Sequence, residues 1–600
     1  MEKTYRRLTA SEIAQLEQSG NTAIDWSVVE VAEPFTPACL RGNSFEGPVR
    51  LGALEASRVS HGDLTLREGL FNSTLADVTV GDHPVIHNVR MLSNYTLGDH
   101  VLLFNVEEMT FTSDPHHIAW LEPMNENGGR RLLPFSGMTI GEAYMWARYR
   151  GHKAFIGKLE QYTYDIMPSS GTVGDHCVVK NTKAIRNVAL RSTEQDPTEV
   201  DGCIVLSDGV VGTGCTLEHG VIAVRFLLGE HVHLEFGLRL NDTVVGDNST
   251  LARCEVGNSI IFPAHEQHHN NSFLIAGLIM GQSNIAAGGT IGSNHNSRTA
   301  DNEIVGGRGF WPGLCCSFKH SSRFASYCLL AKGDYPAELD ITLPFALVNN
   351  NTSKDQLEVM PAYWWMYNMY AMDRNSKKFA KRDKRVVKAQ HIEFDNLAPD
   401  TAEEILHGMK QLRAWMAGGS SRRGLETTDT VYAQGQEKGK RKTVVLKAAE
   451  GLKAYEDMLV FYAMKNLENC SENVSTYQPI NVSTDWVNIG GQLVAKQDME
   501  QLIADVESGK LDSWKSIRAR FDALWEAYPA QREAHAYGVL CRLAGVETLT
   551  DDLWQQYQKR YAEIQQYIEE QKKTSRHKDE VNPFRNMTYW DDAERDAVLG

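Results

Sequence analysis

Residues Val221 to Leu240 read Val-Ile-Ala-Val-Arg-Phe-Leu-Leu-Gly-Glu-His-Val-His-Leu-Glu-Phe-Gly-Leu-Arg-Leu. Within this stretch Ile222, Leu228, Leu234 and Leu240 stand six positions apart. Six is neither the helical period nor simple strand alternation. It suits a very short strand followed by a tight turn, repeated so that one aliphatic per unit points inward. Working outward, the same spacing joins Val80, Ile86 and Leu92; Leu97, Leu103 and Met109; Val205, Val211 and Leu217; and Ile279, Ile285 and Ile291. Several of these aliphatics precede Gly and a small polar or acidic residue, as in Val80-Gly-Asp, Leu97-Gly-Asp, Val173-Gly-Asp and Leu228-Gly-Glu. Gly gives the turn a permissive backbone, and Asp or Asn tolerates left-handed dihedrals. Three such units close a triangular coil of eighteen residues, and stacked coils pair at about 4.8 Å. The predicted fold is a parallel β-solenoid around a column of Val, Ile and Leu.

The hexads resemble those of the hexapeptide-repeat superfamily, which holds trimeric acyltransferases and γ-class carbonic anhydrases. That resemblance implies a left-handed parallel β-helix and a homo-oligomeric, trimeric habit. Three further segments are similar to a large family, seen mainly in Bacteroidetes, that carries a domain-of-unknown-function label. They are Gly292-Ser-Asn-His-Asn-Ser-Arg298, Gly309-Phe-Trp-Pro-Gly-Leu314 and Met360-Pro-Ala-Tyr-Trp-Trp365. This second resemblance implies a fold and no activity.

A helical or irregular lead-in over residues 1–40 precedes a β-helix over 41–350, in which 113–170 breaks the period. Within that break Gly137 to Tyr149 reads as a helix start. Insertions in solenoids project from one face, often the binding face. From 351 to 600 the hexads give way to an all-helical domain. Thr401 to Ala417, Leu446 to Leu467 and Asp498 to Lys572 place apolar residues at helical spacing, with Trp514, Ile517, Phe521, Leu524 and Trp525 as one stripe. Residues 418–442, rich in Gly, Ser, Lys and Arg, read as a mobile basic loop.

Composition removes several classes. The 600 residues are 42% hydrophobic and 23% charged, as in a globular protein, and the net charge of −16 opposes nonspecific nucleic-acid binding. No apolar run approaches the roughly 20 residues of a membrane span, and the polar N-terminus lacks a signal core. The expectation is a cytoplasmic protein that engages neither nucleic acid nor membrane. Ten cysteines without a CxxC pair read as buried residues of a reduced protein. There is no P-loop, dinucleotide fingerprint or nucleophile elbow in a convincing context.

Chemistry concentrates in residues 262–323. Three similar tetrads, His269-Asn-Asn-Ser, His295-Asn-Ser-Arg and His320-Ser-Ser-Arg, lie 26 and 25 residues apart. One eighteen-residue coil plus a short loop accounts for that spacing and stacks the three imidazoles at one corner. In a first reading, His295 is a general base flanked by Asn294 and Asn296, with His269 and His320 beside it. Imidazole, with a pKa of about 6.5, suits the task, and the acyltransferase resemblance supports it. In a second, His265, His269, His295 and Glu266 gather around a divalent metal such as zinc. In a third, the polar residues are a ladder that satisfies corner backbone. Arg298, Arg308, Lys319 and Arg323 bring donors that match carboxylate or phosphate, and Trp311 offers an aromatic wall or a core residue.

The leading expectation is acyl transfer from acyl-CoA to a small anionic or sugar-like acceptor. The alternatives are a metal-dependent hydratase, lyase or carbonic-anhydrase-like enzyme, and a non-catalytic scaffold or ligand-binding solenoid.

Overall fold

The computed structural model describes residues 3–292, 302–418, 430–468 and 482–599. Its first part is a parallel β-solenoid. Ile222 pairs with Val205 on one side and Arg239 on the other, seventeen residues away in each direction. Seventeen is one short of three hexads. The inward row runs Leu206, Ala223, Leu240, while Ile222 lies half-buried on the outer side of the same strand.

Each coil contributes three short stretches of strand, giving three columns and three corners. In the central coils the first two stretches form one continuous strand, such as Ile222–Leu228 or Arg239–Val245, bent at a left-handed residue. Asp208 (φ 54°), Arg225 (φ 50°) and Asp242 (φ 48°) hold that first corner. The second corner is turned by His83, His100, His176 and His231, and the third by Asn88, Asn105 and Asn181, all at positive φ. Along the first column the inward positions run Leu75, Leu92, Met109, Ile185, Leu206, Ala223, Leu240, Val256, Leu274 and Ile291, then change to Phe318 and Tyr335.

The glycine of the aliphatic-Gly-Asp units is required by close approach. A Cβ on Gly81 would sit 2.2 Å from the Gly98 carbonyl oxygen, and one on Gly212 would sit 2.2 Å from that of Gly229. The acid that follows bonds the neighbouring coil: Asp82 N–H donates to Asp99 (2.7 Å), and Asp99 N–H donates to Asp175 (2.8 Å). The histidines next along stack, with ring centroids 5.2 Å apart for His83–His100 and 4.7 Å for His100–His176.

The first coil already begins at Thr22–Ala23, inside the expected lead-in, and helix Ala10–Gln18 covers the open end with a Thr9–Glu12 capping box. At the other end strand Leu347–Asn351 turns back antiparallel onto Gln356–Met360, whose far side pairs with Lys442–Val445. Val431–Ala433 adds to that sheet, so the described part of the expected basic loop is partly strand; 419–429 lie outside the described residues. The C-terminal part is largely helical, with Trp514–Ala544 and Asp551–Glu580 the longest helices. A hairpin, Trp486–Ile489 with Gln492–Ala495, corrects the all-helical expectation.

The insertion leaves the first corner between Glu108–Thr110 and Gly171–Val173 and carries helices Ile140–Arg148 and Lys153–Tyr164. It packs with the C-terminal helices over the outer face of the second column, forming a second core. There Val210, Leu227, Val244, Ile260 and Leu278 meet Ile140, Trp146, Leu502, Trp514 and Ile517. Three consecutive buried apolar residues, Phe226-Leu227-Leu228, mark a strand covered on both faces.

Gly81→Ala should lower the melting temperature by several degrees, reflecting overpacking of about 1–3 kcal/mol. Gly157→Ala, in helix Lys153–Tyr164 with nothing within 4 Å of its Cβ position, should stabilise by about 0.5–1 kcal/mol. Equal effects from the two would contradict the close coil contact.

Candidate functional site

One outward row of the second column locates the site. In register it reads Val210, Leu227, Val244, Ile260, Leu278, Val305, and then Arg323 and Asp340. The aliphatic members are covered by the insertion and the helices. Where the row turns charged, the cover lifts away and leaves a cavity of about 1340 Å³. One wall is the solenoid, from Arg323 to Ser326 and from Asp340 to Thr342. The insertion supplies Arg148 and His152, helix Lys496–Glu507 supplies Glu500, and helix Pro399–Gly418 supplies Glu404 and His407.

On helix Pro399–Gly418, Asp400, Glu403, Glu404 and His407 share one face, being spaced i, i+3, i+4 and i+7. Arg308, buried, grips Asp400 through Nε and Nη2 at 2.8 Å each, and donates from Nη1 to the Asp395 carbonyl at 2.8 Å. Asp400, in the first turn, also suits the positive end of the helix dipole.

The two adjacent glutamates are driven apart. Burial works against ionisation of Glu403, but hydrogen bonds from His535 (2.8 Å) and Arg542 hold its carboxyl below the ordinary range. Glu404 accepts the Ser326 amide at 2.9 Å, and burial together with the Asp400 charge pushes its carboxyl up to about 7. Neighbouring carboxyls with opposite shifts are the arrangement by which acid and base roles are divided at neutral pH. Arg323 and His407 are exposed to the cavity and have no ion-pair partner among the described residues.

The expected histidine column does not form among the described residues. His269 is exposed, packs on His268 with centroids 4.4 Å apart, and lies between the third and first columns. His320 is buried between the first and second columns and donates from Nε2 to the Ile275 carbonyl at 3.1 Å. They occupy different corners because the two coils between them are unequal, seventeen residues from Phe273 to Thr290 and twenty-seven from Thr290 to Ser317, which leaves His320 seven residues past the position equivalent to His269. His295, Asn294, Asn296 and Arg298 lie outside the described residues, in the connection from Thr290–Ile291 to Ile304–Gly306.

His265 points into the solenoid core. Its Nδ1 accepts from Ser283 Oγ at 2.8 Å, its Nε2 donates to Gln267 at 3.2 Å, and burial pushes its pKa down to about 4. Glu266 is engaged by Arg382 at 3.0 Å and by His268 at 3.1 Å. With both His265 nitrogens committed inside the core and His269 exposed, the described members of the expected set, His265, Glu266 and His269, do not gather as metal ligands. Lys319 pairs with Glu338 at 3.3 Å, and the half-buried Trp311 packs on Trp364 with centroids 5.6 Å apart. Of the predicted site residues, Arg308 and Arg323 line the cavity. Arg308 is saturated and positions Asp400; Arg323 is available to a ligand.

Residues 5–416 match the model of a domain of unknown function, DUF4954. The chain belongs to the DUF4954 family. Residues 466–581 match a second domain of unknown function, DUF6819. A protein of Treponema pallidum (strain Nichols), named "Uncharacterized protein", is 40% identical over an alignment 654 positions long that covers 100% of this chain and 90% of that one. In this DUF4954 chain the solenoid, the insertion and Glu404 come from the first matched stretch, whereas Lys496 and Glu500 come from the second. The cavity is built where the two stretches meet.

Glu404 gives a stability signature with a definite sign. A carboxyl whose folded pKa is raised stabilises the fold fully below its unfolded pKa, and that contribution is lost as pH rises through about 7. Glu404→Gln does not titrate, so the melting temperature of the variant minus that of the wild type should grow from pH 5 to pH 8. A flat difference would contradict the raised pKa.

Proposed function

We propose that this protein transfers an acyl group from an acyl-CoA to a hydroxyl or amine of a small polar acceptor bound in the large cavity. The observation that carries the proposal is the placement of Glu404, held against the Ser326 amide and near Asp400, beside a Glu403 that His535 and Arg542 hold, on a cleft that also presents Arg323. Burial and the Asp400 charge push the Glu404 carboxyl up to about 7. Ionised Glu404 takes the proton from the acceptor as its oxygen or nitrogen attacks the thioester carbonyl. The new C–O or C–N bond forms, the C–S bond breaks, and the proton passes to the departing thiolate. A group with pKa near the working pH suits both halves of that transfer.

Arg323 and Arg148 suit an anionic group on the acceptor, whereas Asp340 and Glu500 suit hydroxyls or an amine, as on a sugar or amino sugar. The resemblance to hexapeptide-repeat acyltransferases favours the reaction class. Cavity walls from both the solenoid and its own helical cover supply a site within one chain. No helix among the described residues is long and apolar enough to cross a membrane, which accords with a small diffusible acceptor.

Incubation with acetyl-CoA and a panel of amino sugars, sugar phosphates and amino acids, read by thiol release, should show turnover with at least one acceptor. Glu404→Gln should reduce it about 100-fold or more, and Arg323→Ala should raise KM for an anionic acceptor more than it lowers kcat. Thermal stabilisation by an acceptor without thiol release from any acyl-CoA would favour a ligand-binding solenoid. Turnover unaffected by Glu404→Gln would remove the assigned base.

A further inference from the structure

A second cavity, of about 830 Å³, lies among the helices and is separate from the first. Its body is apolar and aromatic, with Trp365, Met369, Met372, Phe461, Tyr528 and Ile568 in its walls. Four of these six side chains come from helices Tyr363–Tyr367, Met369–Arg382 and Ala448–Asn466, and the other two from the two longest helices. The volume falls within the about 300–1,000 Å³ of small-molecule sites, and a mostly apolar lining with a few polar groups at one end is their usual chemistry.

The charged lining is Asp373, Glu393, Asp395 and Glu533 with Lys377, Lys465 and Arg532. Asp373 pairs with Lys377 and Lys572, and at the end formed by Glu393 and Asp395 a buried donor is left over. Glu393 is already engaged by the Tyr528 hydroxyl at 2.6 Å and by Arg532 at 2.9 Å. Asp395 accepts from Arg532 at 2.7 Å and from Lys465 at 2.9 and 3.1 Å. Both acids are therefore neutralised where they stand. Arg532 still carries a buried Nε–H with no acceptor among the described residues. Lys465, whose side chain is 45% exposed, has a third ammonium proton not used by Asp395. A buried donor left without an acceptor is costly, and a ligand that brings one relieves it.

We infer that this second cavity binds a small aromatic anion, its flat ring among Trp365, Phe461 and Tyr528 and its carboxylate, sulfonate or phosphate head against Lys465 and Arg532. The anion takes up donors that the two acids leave over, while the ring displaces water from aromatic surface. The site is independent of the acyl-transfer reading, since none of these side chains lines the first cavity.

The probe is 8-anilinonaphthalene-1-sulfonate, a fused ring with one anionic group, titrated against the full chain by fluorescence. One saturable, micromolar site per chain is expected. Lys465→Met should weaken it about tenfold or more, whereas Trp590→Ala, which removes an indole 94% exposed at the C-terminus, should leave it unchanged. On the wild-type protein, 2-naphthoate should displace the probe and the uncharged 2-naphthalenemethanol should do so at least tenfold less well. That competition needs no variant to fold. Absence of a saturable site, equal displacement by the charged and uncharged naphthalenes, or loss of binding in Trp590→Ala with retention in Lys465→Met would each overturn the inference.

Discussion

The stacking distance between coils is the constraint on which this molecule rests. Parallel strands repeat at about 4.8 Å, and at the second corner that leaves no room for a side chain at Gly81, Gly98, Gly174, Gly212 or Gly229. The acid after the glycine then accepts from the preceding coil's amide, and the residue after that turns left-handed. Because most coils share this contact, side chains line up in rows. A row can be apolar for most of its length and change character at a chosen coil. Val305 to Arg323 to Asp340 is such a change, and it sets where the helical cover parts from the solenoid.

Covering one face of a solenoid with the same chain's helices has a functional consequence. The rows supply rigid, evenly spaced groups, and the helices supply groups whose pKa depends on how deeply they are pressed against the rows. Glu404 belongs to the second kind: its carboxyl meets the Ser326 amide of a coil corner, and its neighbour Asp400 is locked by Arg308 from the coil before. Glu403, one residue away, turns to His535 and Arg542 on another helix. One helical turn thus presents an ionised and a near-neutral carboxyl side by side.

Much of the fold was legible from spacing alone. The hexads of Val205, Val211 and Leu217 and the aliphatic-Gly-Asp units required short strands and tight corners. The seventeen-residue repeat was obscured because Ala223, a small residue, occupies the inward position next to the conspicuous Ile222. The misplaced histidine column has another cause, the twenty-seven-residue coil from Thr290 to Ser317, which shifts His320 to the next corner. The insertion's docking onto the second column left no local trace. At the site, Arg308 and Arg323 stood out as cations in an acidic chain, but the partner that saturates Arg308 is 92 residues away. Glu404 was invisible because Asp400, Glu403, Glu404 and His407 read as a solvated helical face; only a contact 78 residues distant reveals its burial.

The central claim is that Glu404 is a near-neutral carboxyl facing the cavity. Carbon-13 NMR of glutamate-labelled protein, with Glu404→Gln to assign the resonance, measures its titration directly. A carboxyl signal absent from the variant and titrating with a midpoint near 7 is the predicted result. A midpoint in the ordinary glutamate range of about 4.3 would contradict the account.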